Sequence, residues 1–302
     1  MDKNLKNIPL ISMILCNTSR EREPLNFLKS IEGSTSKVEL IIVFQPKVNL
    51  TILKYLKANE LNFFSIKILE APLISLSYAR NIGLKYATGL NLCFPDDDCF
   101  YSKNLLNELI LILEDIKYEK HCIGVAIHYP GSKIKKLKGK ITYQNLLGNI
   151  ISYSFFLKNP ANFKEIEFFN EKLGVGCFFG SAEESEYLLR LLKKKNYIKP
   201  IKDLKVFHPI NDLESYRREF SYGKGHGALA AIYLINYPLF GSFVFLKILF
   251  FPFLKIIIYI FKLNLKKALL VITTIIGRLI GFICYLLFTI WEFICINAKS
   301  FA

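Results

Sequence analysis

The sequence lacks the features that mark several common classes of small protein. Its 302 residues include one tryptophan, and its seven cysteines form no Cys-x-x-Cys pair and no His-rich spacing of the kind that binds zinc. The length excludes a small disulfide scaffold, and an odd number of cysteines inside apolar runs predicts reduced core thiols in a cytosolic compartment. A hydrophobic fraction of 52% excludes an intrinsically disordered chain.

Acidic residues are scarce relative to basic ones. The chain has 40 Lys and Arg against 25 Asp and Glu, which gives a net charge of +15. From His226 onward, the segment is apolar as well as basic, and Glu292 is its single acid. A segment that is both apolar and basic favours binding to a membrane surface that contains anionic lipids. Because the sequence has no basic stripe with interleaved aromatics and no recognised nucleic-acid motif, we expect no nucleic-acid partner.

The first part of the chain alternates apolar, β-branched runs with helical periodicity. The predicted strands cover residues 11–16, 38–44, 64–69, 92–94, 121–129 and 198–207, and the predicted helices cover 23–31, 50–59, 76–87, 103–116 and 183–195. The apolar stretch near the N-terminus is too short for a signal peptide and has no A-x-A-like cleavage site. The alternation indicates an α/β fold with a mostly parallel sheet and helices on both faces.

The composition changes after residue 227. Residues 228–261 are almost uncharged and contain prolines that are expected to kink a helix. Four lysines share one helical face, as in an interfacial helix: Lys247, Lys255, Lys262 and Lys266. Residues 268–290 are apolar over a length that can cross a membrane, and Gly277 and Gly281 form a GxxxG pair for helix packing. The alternative is a buried helical hairpin of a soluble oligomer.

Three consecutive aspartates, Asp96, Asp97 and Asp98, follow the fourth predicted strand. In a mostly parallel sheet this is the edge where ligands bind, and a hard divalent cation most simply offsets adjacent carboxylates. The alternative is a solvated turn that caps the next helix. Upstream, Arg80 and Asn81 open a run that places a fixed cation near the same edge, where it can pair with phosphate. A metal and an arginine together predict a diphosphate site.

The hydrophobic-Asp-Asp-Asp string, preceded by the run ARNIG, resembles the GT-A glycosyltransferases of glycosyltransferase family 2, of the bacterial surface polysaccharide type. The resemblance covers roughly residues 8–227 and is densest over 75–101. It implies a nucleoside-diphosphate-sugar donor, with UDP favoured, and a bound Mn²⁺ or Mg²⁺. The residues that it assigns to the donor nucleotide are Arg80, Asn81, Gln45, Asp96 and Asp97.

The same resemblance implies a metal site formed by Asp96 and Asp98. His208 belongs to a His-Pro pair after an apolar run, and it resembles the residue of the family's closing strand that can reach the metal or the leaving diphosphate. The alternative for this histidine is a satisfied turn residue. Gln45 stands where family members often carry an acid, and its amide can still donate and accept hydrogen bonds.

A second stretch, residues 168–187, is similar to the family's Phe-Asp-Glu-x-x-Gly-x-Gly element followed by a Glu-Asp pair. The resemblance implies that the second acid of the pair takes the proton from the acceptor hydroxyl, and it assigns catalytic roles to Glu183 and Glu184. Glu184 stands where the family has Asp, and Asn170 also replaces the family's usual Asp. The alternative is that these acids only stabilise a helix N-terminus, where negative charge is favoured.

The glycine-rich run SYGKGHGAL, residues 221–229, leaves two alternatives open: a mobile loop at the acceptor or diphosphate, or a flexible linker. We predict a GT-A catalytic domain over residues 1–227 and a membrane-associated helical hairpin over 228–302. The chain has no Gln-x-x-Arg-Trp element of the kind that processive synthases carry.

By resemblance, the function is metal-dependent, inverting transfer of a sugar to a hydroxyl of a glycan acceptor, lipid-linked, at the cytoplasmic face of the inner membrane. The alternatives are another nucleotide-sugar enzyme and a catalytically altered GT-A membrane adaptor.

Overall fold

The protein forms two compact units. The computed structural model describes residues 8–18, 20–31, 36–59, 62–102, 104–115, 122–128, 139–142, 144–147, 151–158, 168–193, 198–209 and 215–300. The first unit comprises Met1–Phe169 and Tyr187–Asn211, and the second comprises Asn170–Glu186 and Asp212–Ala302. Segment 170–186, which includes the predicted acid pair, thus belongs to the same unit as the apolar C-terminal region.

The described residues of the first unit form an eight-stranded sheet. Its strands are β1 (Ile11–Asn17), β2 (Val38–Phe44), β3 (Ser65–Glu70), β4 (Asn91–Cys93), β5 (Phe100–Tyr101), β6 (Cys122–His128), β7 (Phe155–Lys158) and β8 (Ile198–Phe207). They lie in the order β3-β2-β1-β4-β7-β6-β8-β5. β3, β2, β1 and β4 are parallel, as predicted, whereas β7 is antiparallel to both of its neighbours. β8 pairs in parallel with β6 and antiparallel with β5.

Helices lie between the strands: α1 (Arg22–Ser30), α2 (Leu50–Ala58), α3 (Leu76–Leu84), α4 (Leu105–Glu114) and α5 (Glu183–Lys193). The first three connect the parallel strands β1 to β4, whereas α4 lies between β5 and β6, and α5 lies between β7 and β8. The side chains of Asn49 and Ser75 accept backbone hydrogen bonds at the starts of α2 and α3, which fixes where these helices begin. β1 and β2 are buried along their whole length, as expected for central strands covered on both faces. Each strand and helix predicted for this unit is present, with ends shifted by at most three residues.

The second unit contains four helices among its described residues: α6 (Tyr216–Asn236), α7 (Pro238–Leu249), α8 (Phe251–Phe261) and α9 (Leu265–Ser300). α6 ends just before Pro238, and the break between α7 and α8 lies just before Pro252, as expected of residues that lack an N–H donor. α6 continues through residue 227, where the sequence predicts a domain boundary, and that boundary stays a prediction.

The glycine-rich run 221–229 is neither a mobile loop nor a linker, because it lies inside α6. Glycine is a poor helix former, so tertiary packing must stabilise this segment. A Cβ atom at Gly227 would lie 2.0 Å from the backbone oxygen of Arg278 on α9. A Cβ at Gly281 would in turn lie 2.0 Å from the backbone oxygen of Lys224 on α6. The predicted packing role of the GxxxG pair is therefore confirmed, and its partner is α6.

Two stretches of this unit are long and apolar enough to cross a membrane. Pro238–Phe261 has a mean hydropathy of 2.3, and Leu265–Cys295 has a mean hydropathy of 2.2. Their apolar side chains are widely exposed: Leu239 on α7 is 94% exposed, and Phe261 and Leu263, at the turn between α8 and α9, are 84% and 88% exposed. Exposed apolar surface on this scale is typical of a contact with lipid or with another protein.

Candidate active site

The three aspartates lie just beyond the C-terminal end of β4, in the first unit. Asp96 is the most exposed of them and is bound from two sides. Its Oδ1 accepts a hydrogen bond from Nη2 of Arg80 at 3.0 Å and a longer one from the Ser152 hydroxyl at 3.3 Å. Arg80 lies on α3 and is only 1% exposed. A buried guanidinium paired with one carboxylate is held in a fixed position at this edge of the sheet.

Phe169 lies against both residues of the Arg-Asn pair. The guanidinium carbon of Arg80 lies 5.3 Å from the centroid of the Phe169 ring. The side-chain amide of Asn81 donates to the backbone oxygen of Phe169 at 2.9 Å and accepts from its backbone N–H at 2.7 Å. Asn81 thus fixes the backbone immediately before segment 170–186. Its predicted contact with the donor nucleotide stays a prediction.

Asp97 is bound by Asn17, the last residue of β1, and by Arg20, which follows this strand. Its Oδ2 accepts a hydrogen bond from Nδ2 of Asn17 at 2.9 Å, and its Oδ1 lies 2.9 Å from Nη1 of Arg20. Burial raises the pKa of Asp97 to about 6, against the opposing effects of Arg20 and Asn17. The neighbouring carboxylates of Asp98 and Asp96 also raise it.

Asp98 pairs with His208. Its Oδ1 lies 3.1 Å from Nε2 of the imidazole, and its Oδ2 accepts from Arg20. Burial alone would raise the pKa of Asp98, but its hydrogen bond and charge interactions with His208 and Arg20 lower it. Burial alone would lower the pKa of His208, but the bond to Asp98 raises it. The imidazole stacks on Tyr153 with the ring centroids 4.8 Å apart, which fixes its plane.

Asp96, Asp98 and His208 fit a divalent cation. Each offers one ligand atom, and these atoms all lie within 4.8 Å of one another. Carboxylate oxygens suit Mg²⁺ and Mn²⁺, and imidazole nitrogen is also a common ligand of first-row transition metals. The structure therefore brings together the three residues that the sequence predicts as metal ligands.

Gln45 lies at the C-terminal end of β2 and is 1% exposed. Its Nε2 donates to the backbone oxygen of Pro72 at 2.7 Å. Its Oε1 is buried and has no hydrogen-bond partner among the described residues. A buried carbonyl oxygen of this kind has a free acceptor site, which is what a donor group of a ligand would require.

The predicted acid pair opens α5 in the second unit. Glu183 is buried, and Glu184 is half-buried. Ala182, just before them, has a φ of 74°, a left-handed conformation that is uncommon for a residue with a Cβ. Gly174 and Gly176 also have positive φ values, of 106° and 95°, as their place in the predicted glycine element requires. A non-glycine residue in the left-handed region often marks a functional turn.

Sequence reasoning missed four residues of the aspartate cluster: Asn17, Arg20, Ser152 and Tyr153. A signal existed for Asn17 and Arg20, because Asn17 ends β1 and Arg20 follows it, and the C-terminal end of β1 lies at the same edge of the sheet. No such signal existed for Ser152 and Tyr153. They precede β7, which reaches the edge only because it pairs antiparallel with β4.

Solved structures define the class of this fold. The mannosyltransferase PcManGT from Pyrobaculum calidifontis, in complex with GDP-Man and Mn²⁺, matches with a TM-score of 0.65 at 11% identity, over 91% of this chain and 87% of that one. S. aureus TarS 1-349 in complex with UDP-GlcNAc matches with a TM-score of 0.57 at 18% identity, over 74% of this chain and 66% of that one. S. aureus TarS 1-349 alone matches with a TM-score of 0.56 at 16% identity, over 74% of this chain and 65% of that one. At these identities the likeness shows the fold, which is the GT-A fold of glycosyltransferases.

The family follows from the sequence. The profile of Glycosyl transferase family 2 matches residues 25–183, more than half of the chain. The chain belongs to glycosyl transferase family 2. It spans just under two thirds of the length of the TarS 1-349 chains that it matches in structure. No curated protein matches it in sequence.

Proposed function

We propose that this protein is a metal-dependent, inverting glycosyltransferase that moves a sugar from a nucleoside-diphosphate-sugar to a hydroxyl of a lipid-linked glycan. The observation that carries the proposal is the convergence of Asp96, Asp98 and His208 at the C-terminal edge of a GT-A sheet. In α/β sheets this edge is where ligands bind. The Mn²⁺ and GDP-Man of PcManGT and the UDP-GlcNAc of TarS are consistent with such a site.

Asp96, Asp98 and His208 would hold Mn²⁺ or Mg²⁺, which when bound supplies positive charge for the diphosphate leaving group. Arg80 adds a second positive charge at the same place. Because its guanidinium is buried and held by Asp96 and Phe169, it needs no reorganisation when charge develops on the leaving oxygen. The role of Gln45 is to hydrogen-bond the nucleotide, and its unpartnered Oε1 supports this.

Glu184 acts as the general base. It takes the proton of the acceptor hydroxyl, whose oxygen forms the new bond to the anomeric carbon of the sugar, and the bond from that carbon to the diphosphate oxygen breaks with its electron pair leaving on the diphosphate. A single displacement of this kind inverts the anomeric carbon. Asn170 keeps the local turn that an aspartate would make, because its Oδ1 accepts from the backbone N–H of Lys172 at 3.1 Å.

The apolar helices of the second unit support a location at the membrane, and a nucleotide-sugar donor requires the cytoplasmic face. Lys262, Lys266 and Lys267 are exposed around the turn that also exposes Phe261 and Leu263. Cations beside apolar side chains suit a surface of anionic lipids. An enzyme on that surface meets a lipid-linked acceptor at high effective concentration. We expect the protein to remain in the membrane fraction in high salt, and its release by salt alone would contradict apolar anchoring.

The experiment that tests the function is nucleotide release by the purified protein in detergent. UDP-, GDP- and dTDP-sugars are supplied in turn, each with Mn²⁺ and with EDTA. We expect release from one donor that EDTA abolishes and that Mn²⁺ restores. Equal release with EDTA would contradict the metal site.

If no donor releases nucleotide, calorimetry with UDP and Mn²⁺ distinguishes the remaining explanations. If the folded protein does not bind UDP, the protein is a membrane adaptor. Binding without release would point to a missing acceptor.

A further inference from the structure

Helix α6 has two opposite faces made of small residues. Gly223 and Gly227, four residues apart, lie on one face and pack against α9, as described above. Ser221 and Gly225 lie on the opposite face, and they contact the turn that leads into the predicted acid pair. One helix therefore contacts both the longest apolar helix and the segment that carries Glu184.

The contact with this turn is close and directional. The backbone N–H of Gly180 donates to the backbone oxygen of Ser221 at 3.2 Å, and the Ser181 hydroxyl donates to the backbone oxygen of Tyr222 at 2.9 Å. A Cβ atom at Gly180 would lie 2.0 Å from Oγ of Ser221. A Cβ at Gly225 would lie 2.4 Å from the backbone oxygen of Ser181. The two segments touch through backbone, so the turn has little freedom to shift.

This contact fixes the backbone conformation from which α5 begins. Ala182, with its φ of 74°, follows directly after Gly180 and Ser181. Its backbone oxygen accepts from the N–H of Glu186 at 3.0 Å, which closes the first turn of α5 around Glu183 and Glu184. A left-handed conformation at a residue with a Cβ persists only when surrounding contacts impose it. The two residues before Ala182, Gly180 and Ser181, are held by their hydrogen bonds to α6.

The earlier part of the same segment is held by α9. Nζ of Lys172 lies 2.7 Å from Oε1 of Glu292 and 4.0 Å from the centroid of the Phe288 ring. The rings of Phe179 and Tyr285 meet edge to face with their centroids 5.6 Å apart. Segment 170–186, which carries the candidate base, therefore contacts α9 near its start and α6 at the turn before α5.

We propose that Gly180 and Ser221 are positioning residues, which set the direction of the Glu184 carboxylate through the Ala182 turn. The proposal rests on the role of Glu184 as base stated above. It gives the C-terminal helices a second role besides membrane association: α6, which packs against α9, holds the turn that positions Glu184. A displacement of about 1 Å at a reacting group can cost on the order of 100-fold in rate, so this contact controls turnover.

A size exchange across the contact tests the proposal. Gly180→Ala introduces a methyl group where Oγ of Ser221 lies, and Ser221→Gly removes that oxygen and its Cβ. In Gly180→Ala, we expect kcat for hydrolysis of the donor identified by the nucleotide-release assay, measured with Mn²⁺ in detergent, to fall about 30-fold, with the donor KM within twofold. The double variant should recover most of kcat. Ser242→Gly, on an exposed site of α7, controls for a new glycine in this unit.

Hydrogen exchange of the backbone amides of residues 181–186 supplies a readout that needs no turnover. We expect faster exchange in Gly180→Ala and recovery in the double variant. If Gly180→Ala does not fold, Ser181→Ala replaces it, because it removes only the bond to Tyr222, and kcat should fall severalfold with KM unchanged. Unchanged exchange and kcat in these variants, or a double variant no better than Gly180→Ala, would overturn the proposal.

Glu184→Gln separates the two hypotheses. If this variant keeps full kcat, the base assignment is wrong, whatever the results for Gly180→Ala and Ser221→Gly. If it is inactive, and the effects of Gly180→Ala and Ser221→Gly on kcat simply add in the double variant, the base assignment stands and the positioning role is wrong.

Discussion

The two ends of the parallel strands carry carboxylates in opposite situations. At the amino end, Glu39 is 1% exposed and is surrounded by donors. It accepts from the Ser12 hydroxyl at 2.5 Å, from Nζ of Lys67 at 2.5 Å, and from the backbone N–H and hydroxyl of Thr88 at 2.8 Å each. One negative charge meets one positive charge and three neutral donors. Such a cluster joins three strands and a loop, and it leaves nothing for a ligand to bind.

At the carboxyl end, three carboxylates share two guanidinium groups and one imidazole. Asp97 and Asp98 keep 12% of their side chains exposed, and Asp96 keeps 27%. Their mutual repulsion is only partly offset, and it is part of the reason that the pKa of Asp97 is raised. The comparison teaches that the same chemical group stabilises the fold where its partners are complete and prepares a binding site where they are not.

The largest effect is expected from Asp98→Asn at the carboxyl end. Loss of one metal ligand should lower Mn²⁺-dependent nucleotide release about 1,000-fold, because several kcal/mol of charge stabilisation are lost at the leaving group. The Tm should fall by no more than a few degrees, because the pairs that Asp98 forms with Arg20 and His208 are partly exposed to solvent. Glu114→Gln, at a surface pair with Lys37, is the matched control. Full metal-dependent release by Asp98→Asn would show that the metal assignment is wrong.

Glu39→Gln should show the reverse pattern. Removing the charge leaves Lys67 without its buried partner, which is expected to cost about 3 kcal/mol of unfolding free energy. The Tm in detergent should fall by about 5–10 °C, and the kcat of the folded protein should not change. If Glu39→Gln instead lost much of its kcat with an unchanged Tm, the amino end would not be the stabilising end of the sheet. Glu114→Gln should cost less than about 1 kcal/mol.

Arg80→Lys tests how strictly the carboxyl end is organised. A lysine keeps the charge but has neither the planar fork nor the flat face that packs on Phe169. We expect nucleotide release to fall about tenfold or more, with a Tm shift of only a few degrees. Arg217→Lys, at an exposed position of α6, serves as the control. Wild-type turnover by Arg80→Lys would mean that only the charge matters there.

The smallest effect concerns pH. Burial alone would raise the pKa of Glu39, but its hydrogen bonds with Lys67, Ser12 and Thr88 lower it below the ordinary value of 4.5. The folded state therefore prefers the ionised form, so this stabilisation is present above pH 4.5 and is lost as the pH falls through the folded pKa. The Tm difference between wild type and Glu39→Gln should be constant from pH 7 to pH 5 and should narrow below pH 4. A difference that widened in acid would contradict the depressed pKa.

Much of the first unit could be predicted because its signals are local. Val38–Phe44 is apolar and β-branched along its whole length, which is typical of a central strand, and it forms β2 with those bounds. The position of Asp96, Asp98 and His208 at one edge follows from strand ends in a parallel sheet. Ser152 and Tyr153 could not be placed in this way, because the antiparallel return of β7 depends on pairing with a strand far away in sequence.

The second unit was harder to predict from the chain. The run 221–229 has the composition of a loop, and it is a helix because α9 and the turn at 180–182 fill the space beside its glycines. Helix propensity describes a segment in isolation, whereas close packing of backbone against backbone rewards the absence of a side chain.

The sequence by itself determined six of the eight described strands of the GT-A sheet, the helices between them, the aspartates at its carboxyl edge and the apolar character of the C-terminal region. Each of these depends on residues adjacent in the chain or repeated at a fixed period. Only the tertiary structure decided that Arg20 joins Asp97 and Asp98, that Asn81 holds the backbone of Phe169, and that α6 seats the turn before Glu184. These are contacts between distant segments, and their energies arise only when packing has removed water and fixed the partners in place.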